Sequence, residues 1–172
     1  HRDLHSFPTR RSSDLGGCED EIIAALLHDG PEDQGGLPTL VEIRSRFGAE
    51  VAQIVAECSD SFDPHKPPWK QRKLAYLSRL EEASPSVLLV SCADKLHNAR
   101  SIIANYRLIG EALWTRFNGG RNGTLWYYRA LVVQYEKSTS PPSLLAELCR
   151  TVTELEALTT SVGTTIGYDS PA

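Results

Sequence analysis

The chain has 172 residues, 41% of them hydrophobic and 23% charged, and these values predict one globular domain that buries a real core. Its 18 basic and 22 acidic residues give a net charge of −4, which does not favour binding to duplex nucleic acid. No apolar stretch approaches the roughly 20 residues that cross a bilayer, and no signal peptide is evident, so we expect a cytoplasmic protein without membrane contact.

Residues 1–15 differ in character from the rest of the chain. They contain Pro8 and the run Arg10-Arg11-Ser12-Ser13 but no helical or strand periodicity. Residues 6–15 also resemble the translation of a sequencing-library adapter. We therefore expect residues 1–15 to be foreign to the domain, residues 16–160 to form it, and residues 161–172 to be a disordered tail.

The first predicted helix begins at Glu19 and ends at His28-Asp29, because apolar residues recur at helical spacing between them. Gly30-Pro31 is expected to stop it. Thr39 and Glu42 have the spacing of a capping box, which predicts a short helix that ends near Gly48.

Further helices are predicted over residues 51–58 and 69–83, separated by a proline-rich loop at residues 63–68. Ser84-Pro85 combines an N-cap with a proline at the first helical position, and it predicts a helix that continues to Asn105.

Two more helices are predicted over residues 124–137 and 144–158, after a glycine-rich interruption at residues 119–123. No alternating strand pattern is present, so the sequence predicts an all-α helical bundle.

A polar stripe follows one face of the otherwise apolar helix after Pro85. Its members recur at spacings of three and four residues and are Ser91, Asp94, Asn98, Ser101 and Asn105. An ionised carboxylate on a buried helix costs several kcal/mol, on the order of the penalty for an unpaired buried charge, unless a cation balances it. Asp94 is therefore a candidate metal ligand, and the alternative is an ordinary ion pair with Lys70, Arg72 or another basic side chain.

A second cluster of titratable groups stands at the end of the first helix. His28, Asp29, Glu32 and Asp33 fall within six residues, a density that suits a bound cation. Imidazole and carboxylate groups suit manganese, iron, zinc or magnesium, and the lack of nearby thiols argues against a structural zinc site. The alternative is a solvated acidic loop after an ordinary helix.

Taken together, the two clusters resemble a known family. The strings Ala24–Asp29, Glu32-Asp33 and Ala93–Asn98 are similar to those of the HD superfamily, and within it to the RelA/SpoT-type (p)ppGpp hydrolases. The resemblance spans roughly residues 19–107. It implies an HD-domain helical bundle that holds one divalent metal ion, usually Mn²⁺, and removes the 3′-pyrophosphate of (p)ppGpp, here as a stand-alone small hydrolase.

The resemblance also implies roles for single residues. It assigns metal ligation to His28, Asp29 and Asp94, and water activation to Glu32 and Asp33. The physical chemistry agrees, because a divalent ion and a neighbouring carboxylate are the groups that water attack on phosphorus requires.

Substrate contacts are expected at Asn98 and Lys95, although Lys95 is also explained as a counter-charge for neighbouring carboxylates. The family has a further histidine ligand upstream, in the window that residues 1–15 occupy. We do not carry that role to His1 or His5, so the domain is expected to lack its native first helix.

Two other functions remain open at this stage. The first is an HD phosphatase that acts on another nucleotide or on a nicotinamide dinucleotide phosphate. The second is a degenerate HD module that binds a nucleotide without turnover. The oligomeric state is not predicted.

Two further groups of side chains receive weaker interpretations. Aromatic residues at helical spacing are expected to pack the core in preference to stacking on a base, and they are Trp114, Trp126, Tyr127 and Tyr128. The basic, glycine-rich stretch at residues 116–122 is expected to be a helix connector in preference to a phosphate-binding loop.

Overall fold

The computed structural model describes residues 17–59 and 66–160, and every regular element within these ranges is helical. The helices of this part of the chain are α1 Glu19–Leu27, α2 Gly30–Asp33, α3 Leu37–Phe47, α4 Ala49–Cys58, α5 Trp69–Arg79, α6 Pro85–Ile109, a 3₁₀ helix Gly110–Arg116, α7 Gly120–Lys137 and α8 Pro142–Thr160. The all-α prediction is confirmed. The predicted foreign segment and the predicted tail lie outside the described residues.

Helix α6 contributes residues to both hydrophobic clusters of the fold. Its residues Val87 and Val90 pack with the buried apolar side chains of α1, α3 and α4. Other residues of the same helix, among them Leu88 and Leu96, pack with α5, α7 and α8 in a second cluster. Because α6 belongs to both clusters, the polar residues in its middle are held between two packed layers.

The start of α6 follows its sequence signal. The Ser84 Oγ accepts a hydrogen bond from the Val87 backbone N–H at 3.3 Å, and Pro85 is the first helical residue. The helix continues one turn beyond the predicted end at Asn105 and stops before Gly110, whose φ of +57° is in the left-handed region.

The first helix ends as predicted, with Leu27 as its last residue and His28 as its C-cap, whereas the short helix that follows it was not predicted and the capping boundary at Thr39 is wrong. Gly30-Pro31 opens the short helix α2 after α1 has ended, because proline is accommodated in the first turn of a helix. Thr39 does not cap a helix, since α3 begins two residues earlier with Pro38 in its first turn. The Thr39 hydroxyl instead donates to the backbone carbonyl of Gln34, which ties α3 to the end of α2.

A buried hydroxyl network joins three helices behind the polar stripe. The Ser91 Oγ lies 2.6 Å from the Tyr76 hydroxyl and 2.5 Å from the Tyr135 hydroxyl, and all three residues are buried. Ser91 thus uses its polar group to link α5, α6 and α7. This member of the stripe is structural.

We expect Ser91→Ala to destabilise the fold by about 1–3 kcal/mol, because two buried phenol groups lose a hydrogen-bond partner. Urea unfolding followed by circular dichroism measures the change. Ser78→Ala on the exposed face of α5 is the control and should change stability by no more than about 0.5 kcal/mol. Equal effects of the two substitutions would contradict the assignment.

None of the described helices combines the length and the apolar character that a membrane crossing requires.

Candidate active site

His28 follows the last residue of α1 and is held in one orientation. Its side chain is buried, and its Nδ1 donates to the Ala25 carbonyl oxygen at 2.9 Å. The backbone of the same residue is also anchored, since the Ser59 Oγ donates to the His28 carbonyl oxygen at 3.3 Å and Arg79 donates to the Ser59 carbonyl oxygen at 2.8 Å. The Nδ1 bond leaves the other ring nitrogen, Nε2, next to the carboxylates of Asp29 and Asp94.

The Nε2 atom of His28 meets two carboxylates. It lies 3.2 Å from Asp29 Oδ1 and 3.1 Å from Asp94 Oδ1. The atom is buried between them. The fold therefore brings together the three predicted metal ligands, two from the end of α1 and one from the middle of α6.

Asp94 is balanced by its own helix. Lys95 Nζ donates to its Oδ2 at 2.7 Å, and Asn98 Nδ2 donates to its Oδ1 at 2.9 Å. The basic partner of Asp94 is thus Lys95, whereas Lys70 lies over the Trp126 ring at 3.2 Å from its centroid. The two predicted substrate contacts, Lys95 and Asn98, both touch the Asp94 carboxylate.

The cluster attracts positive charge. Burial opposes protonation of His28, but the carboxylates of Asp94 and Asp29 outweigh it and raise the pKa of His28 to about 9. Burial likewise disfavours ionisation of Asp94, yet Lys95 and His28 hold the pKa of Asp94 well below its usual range. A divalent cation at this position would replace the proton that the two carboxylates otherwise favour on the imidazole.

The donor set suits a divalent ion. Two donors at right angles around an ion with bonds near 2.1 Å are about 3 Å apart, which is close to the spacing of the two carboxylate oxygens from Nε2. A ligating histidine usually donates its other N–H to a carbonyl or carboxylate, as His28 does. Within residues 17–59 and 66–160, however, no three or more His, Cys, Asp or Glu side chains are arranged as a ready metal site. The three residues are therefore a donor set that requires rearrangement or further ligands.

The predicted water-activating pair lies on α2. Glu32 stands one turn after Asp29, and its side chain is partly buried. Asp33 is the last residue of α2, and its side chain lies outside the described part of the structure. The roles of both residues stay predictions.

A cavity of about 270 Å³ adjoins the cluster. Residues of the predicted site form one part of its lining, and these are Asp29, Lys95 and Asn98. Aromatic and basic residues of α5, α7 and the segment before α7 form another part, and they include Trp69, Lys73, Phe117, Tyr127 and Tyr128. The cavity thus combines two lysines with aromatic walls beside the Asp29 carboxylate, which suits an anionic ligand with a flat apolar part.

Sequence reasoning missed part of this lining. The sequence predicts Trp69 and Lys73 only as members of the helix over residues 69–83. Tyr127 and Tyr128 pack in the core as predicted, and they also line the cavity. Trp114 packs against Tyr106 and Phe117 as predicted. No local pattern marks the cavity residues, because they converge from helices that are far apart in sequence.

The connector prediction for residues 116–122 holds only for residues 117–119, because Arg116 ends the 3₁₀ helix and α7 already begins at Gly120. Arg121 lies in the first turn of α7. Its guanidinium donates to the Thr159 carbonyl oxygen of α8 and lies 4.0 Å from Glu111. This arginine therefore joins the start of α7 to the end of α8.

Comparison with known proteins agrees with the geometry. Residues 10–125 match the family described as the HD domain. The human guanosine-3′,5′-bis(diphosphate) 3′-pyrophosphohydrolase MESH1 is 39% identical over 88 residues, which cover 50% of this chain and 46% of the relative. The Drosophila melanogaster protein of the same name is 31% identical over 87 residues, 51% of this chain and 46% of the relative. The chain thus spans about half the length of the curated relatives it matches.

A solved structure, that of lmo0812 from Listeria monocytogenes EGD-e, superposes with a TM-score of 0.74 at 27% identity. The superposition covers 86% of this chain and 95% of the other. The family match extends over more than half of the sequence and includes both motif blocks, so the chain belongs to the HD domain family.

Proposed function

We propose that the chain is a metal-dependent phosphohydrolase that removes the 3′-pyrophosphate of (p)ppGpp. The observation that carries the proposal is the approach of His28 Nε2 to Asp29 and Asp94 at 3.1–3.2 Å, at the edge of a cavity with basic and aromatic walls. The name of the MESH1 relatives supports the choice of substrate.

In this proposal His28, Asp29 and Asp94 hold one divalent ion, and Mn²⁺ is the ion we favour because imidazole nitrogen and carboxylate oxygen suit it. When bound, such an ion lowers the pKa of a coordinated water and neutralises phosphate charge. The hydrogen bond from His28 Nδ1 to the Ala25 carbonyl oxygen places the ring proton on Nδ1, so that the Nε2 lone pair would be available to a metal ion.

The remaining residues act on the water and on the substrate. Glu32, with Asp33 beside it, accepts the proton of the water that attacks phosphorus. Lys95 offsets the charge of the pyrophosphate, and Asn98 contacts the sugar or the base. Hydrolysis then releases pyrophosphate without a covalent enzyme intermediate.

One observation favours a second candidate function. No ready metal site is formed by the His, Cys, Asp and Glu side chains of the described ranges, and the family's upstream histidine has no counterpart that we assign. A degenerate HD module that binds nucleotide without turnover would also have these features. The predicted cytoplasmic location stays a prediction.

Product analysis separates the candidates. We would incubate ppGpp and NADPH with Mn²⁺ and the chain, and in parallel with a version whose residues 1–15 are replaced by a histidine-bearing helix, and identify products by ³¹P NMR. Release of pyrophosphate from ppGpp supports the proposed function. Release of phosphate from NADPH alone would favour the other phosphatase, and absence of turnover by both versions would favour the degenerate module.

A further inference from the structure

Two glycines near the start of α7 are not explained by backbone conformation. Gly119 has φ −84° and ψ −7°, values that any residue adopts. Gly123 lies inside α7, where glycine destabilises a helix relative to alanine. Gly120 between them is different, because its φ of +56° is in the left-handed region and nothing lies within 4 Å of where its Cβ would be.

The space at both glycines is occupied by one side chain. A Cβ on Gly119 would lie 2.7 Å from the Cη2 and Cζ2 atoms of Trp69, and a Cβ on Gly123 would lie 3.2 Å from Cη2 and Cζ3 of the same ring. Carbon atoms pack at about 3.5–4.0 Å. The indole of Trp69 therefore rests directly on the backbone of α7, and the absence of two side chains makes this possible.

Trp69 is also a wall of the cavity beside the metal-ligand cluster. Trp126 and Tyr127 pack against its ring at centroid distances of 6.2 and 6.3 Å. Because Trp126 and Tyr127 are packed against the ring, they resist displacement more than the open cavity does. A group that pushes the indole off Gly119 would therefore move it towards the cavity that the ring borders.

We propose that Trp69, which packs on Gly119 and Gly123, is the wall that sets the width of this cavity and contacts the flat base of a phosphorylated nucleotide. The proposal rests on the proposed function, and it adds the residue that sets the width of the site. Lys73 and Lys95 line the same cavity, so a phosphate group has cationic partners while the base contacts the indole. Stacking of a base on an aromatic ring contributes to binding for every nucleobase, because each base has a π-face.

Gly119→Ala tests whether the packing of Trp69 on Gly119 controls nucleotide binding. It should weaken binding of ppGpp on the order of tenfold, because residues in contact couple by this amount, and it should leave Mn²⁺ affinity unchanged. Isothermal titration calorimetry measures both, with NADPH as a second nucleotide probe. In a Trp69→Leu background, where the indole is absent, Gly119→Ala should change nucleotide affinity less than about twofold.

Gly120→Ala is the matched control. It strains the same turn but places no atom near Trp69, so it should lower stability and leave nucleotide affinity unchanged. If Gly119→Ala fails to fold, the double variant with Trp69→Leu should fold, since the clash is removed.

Equal effects of Gly119→Ala in the two backgrounds would overturn the proposal, and so would failure of both Gly119 variants to fold. Lack of binding of both probes to the unaltered chain would overturn it as well. Failure of the proposed function would give a different result. The chain would then bind nucleotide, Gly119→Ala would weaken that binding only when Trp69 is present, and no pyrophosphate would be released.

Discussion

Asp94→Asn is expected to abolish both Mn²⁺ binding and turnover of ppGpp. The substitution keeps the shape of the side chain but removes the carboxylate that lies 3.1 Å from His28 Nε2. Loss of a residue that only hydrogen-bonds to a metal ligand already weakens metal binding by about 10–100-fold, so loss of a ligand itself should weaken it by more. Calorimetric titration with Mn²⁺ measures the affinity, and circular dichroism checks that the variant is folded.

A loss of stability is expected to accompany this change. Lys95 is paired with Asp94 at 2.7 Å in a largely buried position, and removal of one partner of a buried pair costs about 3–5 kcal/mol. Lys95→Met is the matched comparison, because it removes the other partner. It should retain Mn²⁺ binding while raising the KM for ppGpp. Full activity of Asp94→Asn, or loss of Mn²⁺ binding in Lys95→Met alone, would contradict the assignment.

Glu32→Gln is expected to slow hydrolysis by about 10²–10⁴-fold, the range that a general base contributes, and to leave Mn²⁺ affinity unchanged. The amide keeps the size of the side chain but cannot accept the proton of the attacking water. Single-turnover measurement of pyrophosphate release separates this chemical step from substrate binding.

Glu42→Gln on α3 provides the control for Glu32→Gln. Its carboxylate is exposed and pairs with Arg46 on the same helix, so its removal should change neither the rate nor the metal affinity. Collapse of the fold in Glu32→Gln would show that Glu32 is structural. An unchanged rate in a folded variant would show that it is not the base.

Helix α6 shows how far sequence pattern reaches. The N-cap at Ser84, the proline after it and the apolar run predicted a buried helix, and the periodicity correctly placed Asp94 and Asn98 together. The same periodicity could not show which residues of the polar stripe are structural and which belong to the candidate site. Ser91 satisfies two buried tyrosines, whereas Asp94 reaches His28 from another helix.

The cavity wall could not be predicted for a different reason. Trp69, Gly119 and Gly123 meet only after α5 packs against α7, and no local spacing records such a contact. Sequence reasoning assigned the glycines to an interruption, because glycine within a helix is normally unfavourable. The failed capping prediction at Thr39 is similar, since the helix already begins at Leu37 and the Thr39 hydroxyl donates to the Gln34 carbonyl oxygen instead.

The requirement for a divalent ion at His28, Asp29 and Asp94 is tested most directly by titrating Mn²⁺ into the metal-stripped chain while pyrophosphate release from ppGpp is followed. We predict that activity is absent in chelator, rises with added Mn²⁺, and saturates at about one ion per chain. Pyrophosphate release that persists at full rate in chelator would contradict the assignment of these three residues as metal ligands.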